Sequence, residues 1–79
     1  MSATSSQLAA LKWLRNRNGD GGFDRNQVLL AGGDRAPVMR ATWNKLAELE
    51  LVQFYHERRR LRVTHAGYLC DLSRVEESA

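Results

Sequence analysis

Hydrophobic positions recur along this chain first at helical spacing and then at strand spacing. Leu8, Leu11 and Leu14 repeat every three residues, and Trp13 widens their stripe. Thr4, followed three residues later by Gln7, is a capping-box pair in front of them. Asn16, Asn18 and Gly19 accept the left-handed conformation of a helix end, so a first helix is predicted over about 5–17. The run Asn18–Gly22 reads as a loop. Asp24 then offers an N-cap, Gln27 sits three residues on, and Phe23 with Val28 forms a hydrophobic staple. These signals predict a short second helix over about 24–31, closed by Gly32-Gly33. Asp34 is the next candidate N-cap, and Pro37 fits a first turn. Met39, Trp43, Leu46 and Leu49 or Glu50 make a buried stripe, predicting a third helix over about 35–50. Two helices joined through a diglycine corner form a helix-turn-helix.

The period then changes to two. Leu51–His56 and Leu61–Thr64 predict strands over about 51–56 and 61–64, joined by Glu57-Arg58-Arg59-Arg60. Phe23 adds a short third strand position. Thr64 caps a last helix over about 65–76, with Leu69, Leu72 and Val75 on one side. The expected architecture is a single α+β domain over 1–79, with a three-helix core, a β-hairpin and a C-terminal helix.

Composition narrows the function. Seventy-nine residues, 43% hydrophobic and 27% charged, suit one ordinary globular domain and exclude a two-domain enzyme. No apolar run approaches the ~18–20 residues of a membrane span. The opening Met-Ser-Ala-Thr-Ser-Ser predicts no secretory signal, and the lone Cys70 fits a reducing, cytoplasmic setting. His56, His65 and Cys70 show no metal-ligand spacing, and the glycines of 19–22 lack the Lys-Ser/Thr of a phosphate loop. No catalytic site, metal or cofactor is expected.

The net charge of +3 is modest but unevenly spread. Arg58, Arg59, Arg60 and Arg62 stand against Glu57 in one stretch, and Lys12, Arg15 and Arg17 have no acid among residues 8–17. The tail from Ala66 is acidic. A cationic hairpin opposite an acidic end predicts one face for a polyanion.

The stretch from Ala36 to Val52 resembles the recognition helix and first wing strand of winged helix-turn-helix proteins. The run Leu61-Arg62-Val63-Thr64-His65-Ala66-Gly67-Tyr68-Leu69 is similar to the strand, Thr, Gly and helix passage of MarR-type and phage-type small regulators. One departure is Glu50, where such sequences commonly have Gly before Leu-Val. A second is length, because MarR-type proteins carry extra dimerisation helices. The resemblance implies sequence-specific binding of double-stranded DNA as a small transcriptional regulator, and two-fold binding to an operator would call for a homodimer.

Helical projection gives the same face independently. With Met39, Trp43 and Leu46 inward, Pro37, Arg40, Ala41, Asn44 and Glu48 point outward, with Lys45 beside them. Arg40 can pair bidentately with guanine and Asn44 with adenine. Lys45 and Arg35 suit phosphates, and the Arg58, Arg59, Arg60 and Arg62 hairpin suits backbone or minor groove. The same residues also read as a solvated helix flank and as charges that discourage edge-to-edge strand pairing. The competing function is a protein-interaction module, such as a phage or mobile-element protein docking on a host protein.

Overall fold

The Thr4–Gln7 pair caps a helix. Thr4 Oγ1 accepts from the Gln7 amide at 3.2 Å, and the Thr4 amide donates to Gln7 Oε1 at 2.9 Å. In the computed structural model, which describes residues 3–77, this is α1 (Ser5–Arg15). Residues 1–2 and 78–79 of the expected domain lie outside the described residues. There follow β1 (Asp20–Phe23), β2 (Leu29–Ala31), β3 (Asp34–Arg35), α2 (Arg40–Glu48), β4 (Val52–Tyr55), β5 (Arg60–Val63) and α3 (His65–Leu69). The fold is α+β, and the described residues form an antiparallel sheet ordered β3-β2-β1-β5-β4 and three helices.

The expected helix over 24–31 is absent. Its capping signals are real but serve a turn. Asp24 Oδ1 accepts from the amides of Asn26 (2.8 Å) and Val28 (3.0 Å), closing a side-chain-stabilised turn between β1 and β2. Leu29 and Ala31 point inward and Leu30 outward, in strand alternation. The Gly32-Gly33 corner is the turn of the β2–β3 hairpin, with φ of 59° and 83°. Two consecutive positive-φ residues between paired strands are what a two-residue hairpin demands. The helix-turn-helix corner is therefore replaced by a hairpin. The expected loop over 18–22 also holds a strand. Gly21 lies on the inner sheet face, where a Cβ would come within 2.6 Å of the Leu30 carbonyl oxygen.

The third predicted helix begins at Arg40, not 35. Asp34 and Arg35 pair with β2, the Ala36 amide donates to the Leu29 carbonyl at 2.7 Å, and a residue before proline disfavours helix. Met39, expected in the buried stripe, is the N-cap and 79% exposed. Trp43 and Leu46 are buried as expected.

The helix ends in a Schellman motif. The Glu50 amide donates to the Ala47 carbonyl and the Leu51 amide to Leu46, both at 3.0 Å, with Glu50 at φ 62°. The departure seen in the sequence is thus a non-glycine residue at a left-handed position. Glu50→Gly should stabilise the chain by about 0.5–1 kcal/mol, raising the thermal midpoint by several degrees. Calorimetry showing no gain would contradict this reading of the helix end.

The last helix is also shorter than expected, ending at Leu69, which is 71% exposed. Beyond it the chain runs non-helically along α1, with Leu72 buried. Lys12 Nζ donates to the carbonyls of Leu72 (3.2 Å) and Val75 (2.6 Å), and Arg15 to that of Cys70 (2.9 Å). Arg17 pairs with Glu77 and Asp34 and lies 4.4 Å over the Trp13 ring. Hydrogen bonds from Asn16 and then Arg17 hold the Glu77 carboxyl below its ordinary range. Lys12 and Arg15 of α1, with Arg17 just beyond it, therefore anchor the tail.

One core joins these parts. Leu11, Trp13 and Leu14 of α1 and Trp43 and Leu46 of α2 pack on the inner sheet face of Leu29, Ala31, Val52, Leu61 and Val63. The two tryptophan rings lie 6.5 Å apart. Among the described residues no helix covers the other face of the sheet.

Candidate nucleic-acid interface

Strand alternation divides the arginine-rich hairpin. On β5, Leu61 and Val63 face the core, so Arg60 and Arg62 must face the other way. Arg58 and Arg59 lie in the four-residue turn 56–59 instead. Three successive residues of that turn, His56, Glu57 and Arg58, have φ of 54°, 57° and 64°. Such non-glycine conformations cost on the order of 1 kcal/mol each and persist only where surrounding contacts hold them. Here the Arg59 amide donates to the His56 carbonyl at 3.1 Å, and the Phe23 amide to Arg59 at 2.8 Å.

Arg40 supplies a third tether. Its guanidinium lies 4.2 Å over the Phe23 ring and 5.0 Å over Phe54, which are themselves stacked at 5.7 Å. It donates to Gln27 Oε1 at 2.5 Å and to the Arg58 carbonyl at 2.9 Å. Arg58 in turn lies 4.4 Å over Phe54 and reaches Asn44 Oδ1 at 3.4 Å. The start of α2, its outward flank and the β4–β5 turn are thereby brought to one side of the molecule.

This meeting changes the expected roles. Arg40, proposed from the sequence as a guanine reader, has its guanidinium engaged between two rings and two acceptors, so it braces the turn. Asn44 and Lys45 are exposed on the outer flank of α2, with Lys45 paired to Glu48 at 3.4 Å. Arg58 and Arg59 are exposed beside them. Arg35, Arg60 and Arg62 are not part of this face.

Those three arginines belong to the helix-free sheet face. Arg35 pairs with Leu30 there and bridges Asp24 at 3.3 Å. Tyr55 donates to the Asp20 carboxylate at 2.6 Å, while Arg60 donates to the Tyr55 oxygen at 2.9 Å and to Asp20 at 3.2 Å. The Tyr55 hydrogen bond, and then Asp20, raises the Arg60 guanidinium above its ordinary pKa. Arg62 donates to Gln53 and lies 5.0 Å over the Tyr55 ring. Asp24 is held below the usual carboxylate range by the Val28 amide first, then Asn26 and Arg35.

Sequence reasoning missed Phe23, Arg25, Gln27 and Phe54. Together with Arg40, Arg58 and Arg59, several of them line an open cleft of about 390 Å³ between the β1–β2 and β4–β5 turns. The available signal was the Asp24-to-Val28 turn chemistry, which as a hairpin rather than a helix sets Arg25 beside the cationic turn. Among the described residues no group of three His, Cys, Asp or Glu side chains could hold a metal ion. No helix of the described residues is long and apolar enough to cross a membrane. Compared with known proteins, the chain matches no family, no curated protein and no solved structure.

Proposed function

We propose that this chain binds double-stranded DNA, as a small transcriptional regulator, through the outer flank of α2 and the β4–β5 turn. The observation that carries the reading is the Arg40–Arg58–Asn44 chain of contacts, which sets a helix flank and a cationic turn side by side. A nine-residue helix is about 14 Å long and narrow enough for a major groove about 12 Å wide. Asn44 is the residue positioned to read an adenine edge, while Lys45, Arg58 and Arg59 meet phosphates. The α2–β4–β5 sequence of helix, strand, turn and strand supports a winged-helix reading of this part of the fold. The second helix of a helix-turn-helix has no counterpart. One short helix reads few base pairs, which favours two copies on a two-fold site.

Salt titration of binding to a mixed-sequence duplex tests this. Three or four phosphate contacts predict a log–log slope of about −3 to −4. Arg59→Ala should weaken all sequences alike and flatten the slope by about one unit. Asn44→Ala should instead relax choice at one base position, by ~1–3 kcal/mol. A protein that ignores duplex DNA at low salt would move the assignment to protein docking.

A further inference from the structure

We infer that the cleft between the β1–β2 and β4–β5 turns is a seat for a phosphoryl anion, with Arg40 as its fixed floor and Arg25, Arg58 and Arg59 as its closing side chains. Four arginines, Arg25, Arg40, Arg58 and Arg59, line one concavity there, beside Phe23. Arg40 is immobilised by its two ring contacts and by Gln27 and the Arg58 carbonyl, so its position costs no further ordering when an anion arrives. Arg25 and Arg59 are exposed and free to close, while Arg58 closes by giving up its contacts with Phe54 and Asn44.

The two acids of the cleft differ in effect. Asp24 is already satisfied by the amides of Asn26 and Val28 and by Arg35. Glu57 lines the rim and opposes an anion directly. A terminal phosphate presents three oxygens to planar guanidinium forks and a backbone phosphodiester two, either set suited to bidentate pairing. At about 390 Å³ the cleft also admits the sugar attached to a phosphate. The ligand is thus a phosphate ester, drawn either from a nucleic-acid backbone or from a free nucleotide. The first source rests on the DNA-binding reading above; the second does not.

Titrating the isotope-labelled full chain with inorganic pyrophosphate, and separately with a short duplex, tests the seat by amide shifts. Pyrophosphate should produce saturable shifts at residues 24–27 and 57–59. Arg25→Ala and Arg59→Ala should each weaken it several-fold. Glu57→Gln should tighten it by roughly two- to five-fold, the effect of removing one exposed opposing charge. That gain cannot come from a variant that folds badly. Pyrophosphate bound while the duplex is ignored would keep the seat, assign it a free phosphate ester and end the DNA reading. Pyrophosphate affinity unchanged in all three variants would overturn the seat and leave the DNA reading to its own salt titration. Shifts that never saturate, or that spread equally to Arg60 and Arg62, would also overturn it.

Discussion

Gly67→Ala should lower the thermal midpoint by roughly 10 °C or more, or prevent folding. Helix propensity taken alone predicts the opposite, a gain of about 1 kcal/mol for alanine in α3. The packing decides the sign. A Cβ on Gly67 would fall 2.2 Å from the Leu51 carbonyl oxygen and 2.6 Å from Val63 Cγ1. The first of these is backbone, at the exit of α2 where the Thr64 amide also donates to Leu51 at 3.1 Å. Relieving the clash means moving α3 or the start of β4. Overpacking of this kind costs about 1–3 kcal/mol, a large share of the ~4–12 kcal/mol expected for a chain of this length. Thermal unfolding followed by circular dichroism reads the sign directly, and a stabilised variant would contradict the observed contact between α3 and the α2–β4 junction.

Arg40→Ala is expected to cost about 1–2 kcal/mol and to weaken DNA binding beyond the loss of one charge. Two guanidinium–ring contacts are worth about 0.5–1 kcal/mol each at a partly exposed site, and the lost hydrogen bonds add to them. The larger consequence is in the turn. His56, Glu57 and Arg58 hold left-handed conformations against their own preference, and Arg40 is one of the tethers that keeps them there. Without it the turn relaxes, and Arg58 and Arg59 lose their fixed relation to Asn44. Arg40→Lys should fail to restore either property, because an ammonium cannot stack on both rings and fork to two acceptors. Recovery of stability and affinity by lysine would show that Arg40 acts through charge alone.

The parts of the fold that were legible in the sequence are those fixed by local chemistry. Thr4 with Gln7, Thr64 ahead of α3, and the alternation of Leu61 and Val63 all act within a few residues. The hairpins at 20–35 read locally as helix because their signals have two meanings. Asp24 can cap a helix or close a turn, and Gly32-Gly33 can end a helix or join two strands. What settles the choice is β5, nearly forty residues away, whose Leu61 pairs with Gly21. Glycine there reads locally as loop, yet the close approach of the Leu30 backbone requires it.

The candidate site was half legible for the same reason. Helical projection put Asn44 and Lys45 on the outer flank of α2, where they are exposed, and charge density singled out a turn that is exposed too. Arg60 and Arg62 stand apart from Arg58 and Arg59 because alternation on β5 turns them to the sheet face away from the core, while the other two lie in the turn. Arg40 was placed on the right side of its helix, but the rings of Phe23 and Phe54 that hold it come from distant strands.

The decisive measurement is a map of backbone amide shifts in the labelled chain on addition of duplex DNA. With α2 and the turn as the contact surface, the shifts should concentrate on residues 41–48 and 56–59. Arg35 and Arg62, on the helix-free sheet face, and the tail-bearing flank of α1 should stay unmoved. Shifts centred on Arg35, Arg60 and Arg62, with α2 silent, would show that the bare sheet rather than the helix meets the duplex.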